Sequence, residues 1–121
     1  MEIKHVSKVW GSEEWLVNNA LYCGKFLNLK KGHRCSMHHH KNKHETFYLL
    51  KGKILLELNG GKKIMNEGEL QEIVPLDKHR FTGIVDSVIL EFSTHHEDED
   101  SYREEDGGAV DIDSVLKGMK E

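Results

Sequence analysis

Residues 32–52, GHRCSMHHHKNKHETFYLLKG, decide how this chain folds and what it can hold. The stretch reads as two strands joined by the polar turn Lys41-Asn42-Lys43-His44. Side chains alternate along a strand, so His38 and His40 share a face while His39 points away. The turn returns the chain and sets Glu45 beside them. Two imidazoles and a carboxylate on one face make a divalent metal site with nitrogen and oxygen ligands. A further ligand is expected at His79, which follows Pro75 at the end of the run Glu69 to Val74, where another strand should stop. His33 is expected to be exposed and His44 lies in the turn. The triplet is internal, so it is not a purification tag.

The flanking sequence is built in the same way. Short runs of mixed apolar and polar residues are separated by turn signals, and helical periodicity is nearly absent before residue 108. Val6 to Trp10 is an extended lead-in. Strands are predicted at Glu14–Val17, Tyr22–Leu29, His33–His40, Thr46–Leu50, Ile54–Leu58, Lys62–Met65, Glu69–Val74, Arg80–Gly83 and Val88–Ser93. Asn59-Gly60-Gly61 is the strongest hairpin signal. About nine strands in so short a span is the density of an all-β fold, a small jelly-roll barrel.

Beyond Thr94 the character changes. His95-His96 and the acidic run to Asp106 suggest a solvated loop, with the two histidines otherwise able to line the barrel mouth. Ile112, Val115, Leu116 and Met119 then recur at helical spacing, with Asp111 or Asp113 as N-cap, which predicts a short C-terminal helix packed on the barrel or on a partner. The expected organisation is a single domain over residues 1–121, with the barrel core at about 14–93 and the acidic loop and helix at 94–121.

Composition sets limits on function. Of 121 residues, 37% are hydrophobic and 31% charged, which suits a globular rather than a disordered chain. The net charge of −4 argues against nucleic acid as a partner. No apolar stretch approaches membrane-spanning length, and the N-terminus lacks the apolar core of a secretion signal, so a cytoplasmic protein is expected. Cys23 and Cys35 are expected to be free thiols in that compartment.

The spacing G-x5-H-x-H-x4-E-x6-G, read through Gly32, His38, His40, Glu45 and Gly52, resembles the first motif of the cupin superfamily. Gly68, Pro75 and His79 resemble the second, with departures: Asp77 replaces the usual glycine, the gap to His79 is one residue shorter, and Gly83 stands where asparagine is common. Val9-Trp10-Gly11, His38-His39-His40, His79-Arg80-Phe81 and the segment from Glu97 to Arg103 further resemble the cupin domain of type II mannose-6-phosphate isomerases. That resemblance implies a sugar or sugar-phosphate context, a small-molecule substrate and a homodimer.

Three neutral imidazoles and one carboxylate leave a divalent transition metal ion (Zn, Mn, Fe, Ni or Co) with net positive charge and room for a chelating substrate. An α-hydroxy carbonyl sugar is such a substrate. A nearby base would complete aldose–ketose isomerisation or epimerisation through an enediol. Two catalytic candidates present themselves. Glu91 points inward if it alternates with Ile89 and Ser93, and Lys25 sits in an otherwise apolar strand. Arg34, on the strand face of His38, could bind a phosphate or carboxylate. The same ligand set also suits an Fe(II)-dependent dioxygenase or a non-catalytic, metal-containing sugar-binding cupin.

Overall fold

A computed structural model describes residues 2–119. It contains thirteen strands among the described residues: β1 (Lys4–Lys8), β2 (Gly11–Asn18), β3 (Cys23–Leu29), β4 (His33–Arg34), β5 (Met37–His39), β6 (Glu45–Lys51), β7 (Lys53–Leu58), β8 (Gly61–Asn66), β9 (Leu70–Ile73), β10 (His79–Gly83), β11 (Ser87–Ser93), β12 (Tyr102–Glu105) and β13 (Gly108–Ala109). One sheet runs β1-β2-β3-β11-β6-β9. The second runs β12-β5-β10-β4-β13, with the β7–β8 hairpin joined to it through β10. All of these pairings are antiparallel, and the two facing sheets form the jelly roll expected from strand density.

The alternation read from sequence is what builds the interior. Along β6, Glu45, Phe47 and Leu49 are buried, while Thr46 and Tyr48 are half-exposed. Along β11, Ser87, Ile89 and Glu91 point inward, and along β3 so do Cys23, Lys25, Leu27 and Leu29. Leu27, Leu29, Phe47, Leu49 and Ile89 pack on Ile54, Leu56 and Phe81 of the second sheet, with Trp10 edge-on to Phe81 at 5.5 Å. The inner face of the first sheet is thus apolar at one end and charged at the other, where Lys25, Glu45 and Glu91 lie.

Turn chemistry holds the strands in register. Gly52 sits at φ 100° between β6 and β7, and a β-carbon there would collide with Ser87 Oγ and the Asp86 carbonyl. After Pro75 the positive φ falls on exposed Leu76, at 77°. Asp77 pins this loop: its Oδ2 accepts from the Val74 amide at 2.9 Å, and its Oδ1 accepts from Asn59 Nδ2 at 2.8 Å.

Several expectations need correction. The lead-in at Val6 is a true edge strand, and β2 begins at Gly11. The continuous strand His33–His40 breaks at Cys35-Ser36, where Cys35 Sγ takes the Phe81 amide at 3.4 Å. The acidic stretch is exposed along most of its length, as expected, but it is regular: it carries a 3-10 turn, Asp98–Asp100, and strand β12 paired with β5. The helix α1 spans only Ile112–Leu116; Asp111 occupies its N-cap without a side-chain bond to the backbone. Cys23 and Cys35 are free and buried, and burial pushes the Cys35 thiol up to about 12. No helix among the described residues is long and apolar enough to cross a membrane.

Candidate metal centre

His38 on β5, His40 just after it and His79 opening β10 converge, with one ring nitrogen of each within 4.8 Å of the others. Pairing of His79 with His38 across β10 and β5 brings them together. Each ring is aimed by the same device. His38 Nδ1 lies 2.8 Å from the Ser36 carbonyl, His40 Nδ1 2.8 Å from the Asp100 carbonyl, and His79 Nδ1 2.9 Å from the Asp77 carbonyl. A carbonyl can only accept, so each Nδ1 carries a proton, which leaves Nε2 of each ring as the nitrogen turned inward and available to a metal. Burial, then the neighbouring His79, pushes the His38 ring down to about 3, and burial also lowers His40.

Glu45, the first residue of β6, reaches the same point from the other sheet. Its Oε2 lies 3.5 Å from His40 Nε2 and 3.3 Å from His79 Nε2. Among the described residues neither Glu45 Oε2 nor His79 Nε2 has a hydrogen-bond partner, and both are buried. Buried polar atoms left without a partner are costly, and an ion bound between them would satisfy both. Three imidazoles beside an orphaned carboxylate oxygen therefore fit a divalent metal ion.

The centre opens into a cavity of about 850 Å³ whose lining includes His38, His40, Glu45, Glu91, Lys25 and Trp15. Glu91 and Lys25 are both buried at its wall. Arg34 is not among the lining residues; it sits in β4, its backbone paired with Thr82 and Gly108. Arg103 of β12 lines the cavity instead. His39 faces away and stacks on Tyr102 at 5.2 Å, His44 is exposed against Glu72, and His33 is half-buried rather than exposed.

The sequence pattern of the cupin domain matches residues 25–92. The chain belongs to the cupin family. No curated protein matches this cupin by sequence. Among solved structures, KdgF from a Halomonas species superposes with a TM-score of 0.72 at 15% identity, over 82% of this chain and 90% of that one. Streptomyces PAC13 with uridine superposes at 0.75 and 12% identity, over 91% and 88%. Bacillus subtilis oxalate decarboxylase gives 0.72 at 14%, over 85% of this cupin and 30% of that chain. Identities this low speak to a shared fold.

Two further residues of this cupin belong to the site: one escaped the sequence reading, and the other was read as solvated, with the barrel mouth as the alternative. Lys43, read as part of a polar turn, is buried, with Nζ 3.1 Å from Glu45 Oε1, 2.8 Å from Glu91 Oε2 and 2.8 Å from His96 Nδ1. Burial would lower it, but Glu91 and Glu45 together raise it well above the ordinary lysine range. Burial would likewise raise Glu45, yet Lys43 holds it well below the usual carboxylate range. Glu91 goes the other way: burial raises it, and Lys43 offsets this only in part. The signal for Lys43 was the inward parity of residues 45, 47 and 49, carried one step back. His96, the second residue, lines the cavity while His95 stays exposed.

Proposed function

We propose that this cupin is a metal-dependent isomerase or epimerase that moves a proton between adjacent carbons of a sugar or sugar phosphate through an enediol. The observation that carries this reading is Glu91: a buried carboxylate at the wall of the metal-centre cavity, tied by one ammonium to the carboxylate of the centre itself. His38, His40 and His79 through Nε2, with Glu45 through Oε2, are the proposed ligands. A divalent ion, when bound there, supplies Lewis acidity toward a carbonyl and its neighbouring hydroxyl.

The chain's own groups do the rest. Lys43 Nζ and Ser93 Oγ both engage Glu91 Oε2, at 2.8 and 3.0 Å, which leaves Oε1 to take a proton from one carbon and return it to the next. Lys25 Nζ is committed to Glu13 at 3.4 Å and to the Trp15 ring at 4.1 Å, so we assign it to binding substrate hydroxyls rather than to proton transfer. For a phosphorylated substrate, Arg103 takes the part that the sequence suggested for Arg34. The resemblance to type II mannose-6-phosphate isomerase cupin domains supports the same substrate class.

The test is NMR of aldoses and ketoses in deuterated water with metal-loaded protein. Loss of the C2 proton signal is expected. His38→Ala and Glu45→Ala should abolish metal uptake in folded protein, whereas Glu91→Gln should keep the metal and slow exchange about 100-fold or more. Sugar binding without exchange by the wild type would leave a non-catalytic sugar-binding cupin, and oxygen consumption by an iron-loaded protein would leave the oxygenase.

We also propose the homodimer implied by the resemblance, seated on the outer face of the first sheet. Phe26, Leu90, Tyr48 and Leu70 form one uncharged row across β3, β11, β6 and β9, and Phe92 beside it is 52% exposed. Such a face is self-complementary, because apolar surfaces cover each other without matching charges. Phe92→Lys should give a monomer by light scattering, and a monomeric wild type would remove the proposal.

A further inference from the structure

The acidic segment has a part to play that its composition hides. Among residues 97–100 only Asp100 is buried, and its carboxylate is used entirely on backbone. Oδ1 accepts from the Lys41 amide at 2.8 Å, Oδ2 accepts from the Lys43 amide at 3.0 Å, and the Asn42 amide reaches both, at 3.3 and 3.1 Å. Charge-assisted bonds of this kind are among the stronger ones a side chain can make. The loop they fix runs from His40 to Glu45, two of the groups proposed to hold metal, and carries Lys43, which braces Glu45. The Asp100 carbonyl meanwhile accepts from His40 Nδ1 at 2.8 Å and sets which nitrogen of that ring faces the centre. β12 follows at once and pairs Arg103 with His38 and Tyr102 with His39.

We propose that Asp100 is a positioning residue for the metal centre: its carboxylate docks the segment on the loop at 41–43, and the docked carbonyl then aims His40. This deepens the metal-centre reading and rests on it. Substituting the side chain removes the dock and leaves the carbonyl in place chemically but no longer held against His40. The expected consequence is therefore in metal affinity and not only in folding. Outer groups that orient a ligating imidazole typically govern affinity over a 10–100-fold range.

The experiment uses the full chain and zinc alone, titrated against a chromophoric chelator at a temperature where circular dichroism shows every variant folded. Asp100→Ala should weaken zinc binding by about 10-fold or more. Asp100→Asn, which keeps one oxygen acceptor, should recover part of the loss, and Glu99→Ala, an exposed neighbour, should match the wild type. Cobalt(II) loaded into Asp100→Asn should show an altered visible spectrum, reporting a changed ligand arrangement. Wild-type affinity in Asp100→Ala would overturn the proposal. Should Asp100→Ala not fold, wild-type affinity and an unchanged cobalt spectrum in Asp100→Asn would do so. A wild-type protein that takes up no zinc or cobalt would instead fell the metal-centre reading, and this inference with it.

Discussion

His96 shows how neighbours decide the state of one ring. Its Nδ1 faces the Lys43 ammonium at 2.8 Å, and its Nε2 lies 2.9 Å from Asp98 Oδ1. An ammonium can only donate, so Nδ1 must accept, and the ring's single proton sits on Nε2 toward the carboxylate. A second proton would have to enter on Nδ1, directly against the Lys43 ammonium. Burial, then Lys43 and Lys25, accordingly push the ring down to about 4 from the ordinary 6.5. The unfolded chain takes up that proton near pH 6.5 and the folded chain does not. Stability from this group is therefore fully present above pH 6.5 and is lost as pH falls toward 4. Allowing for water at its partly open ring, the contribution is about 2 kcal/mol. In urea denaturation of metal-free protein, the wild type should lose about that much more than His96→Gln between pH 7.5 and 4.5. Equal losses would show that His96 titrates as an ordinary exposed histidine.

At the scale of elements, what was legible in sequence is what carries a period of its own. β3, β6 and β11 alternate cleanly because one face meets the core, and the Asn59-Gly60-Gly61 turn lies where β7 and β8 meet. The edge strands were not legible. β12 reads Tyr-Arg-Glu-Glu with every residue exposed, so its strand character comes from backbone pairing with β5 and leaves no apolar imprint. β1 is likewise a largely exposed edge. The break at Cys35-Ser36 comes from a contact with Phe81, far along the chain, that local pattern does not encode. The convergence of His38, His40, Glu45 and His79 was legible from spacing, because three of the four fall within one short stretch, residues 38–45. Lys43 and Asp100 were not, since a charged residue beside a turn ordinarily reads as solvated. The predicted helix kept its place but shrank: Asp111 binds the Ser114 hydroxyl instead of capping, and Gly118 at φ 83° lies two residues beyond its end.

For the whole molecule, the candidate metal centre lies where the two sheets meet. Glu45 comes from β6 in the first sheet, and His38 and His79 come from β5 and β10 in the second. Phe47, two residues after Glu45, stands 6.0 Å from the His79 ring and 5.8 Å from Phe81, so the core continues directly beneath the centre. An ion held there joins the sheets at their charged end, as the apolar cluster joins them at the other. Binding to the folded chain alone must then stabilise it through mass action, by about 4 kcal/mol when free metal is about 1,000 times its dissociation constant. For a chain of this size that raises the melting temperature by roughly 10 °C or more. The shift should grow with the logarithm of free metal, vanish on chelation and be absent in His38→Ala. If chelated and metal-loaded wild type melt together at saturating metal, the ion is not held between the sheets, and the charged end must owe its order to the Lys43 ion pairs alone.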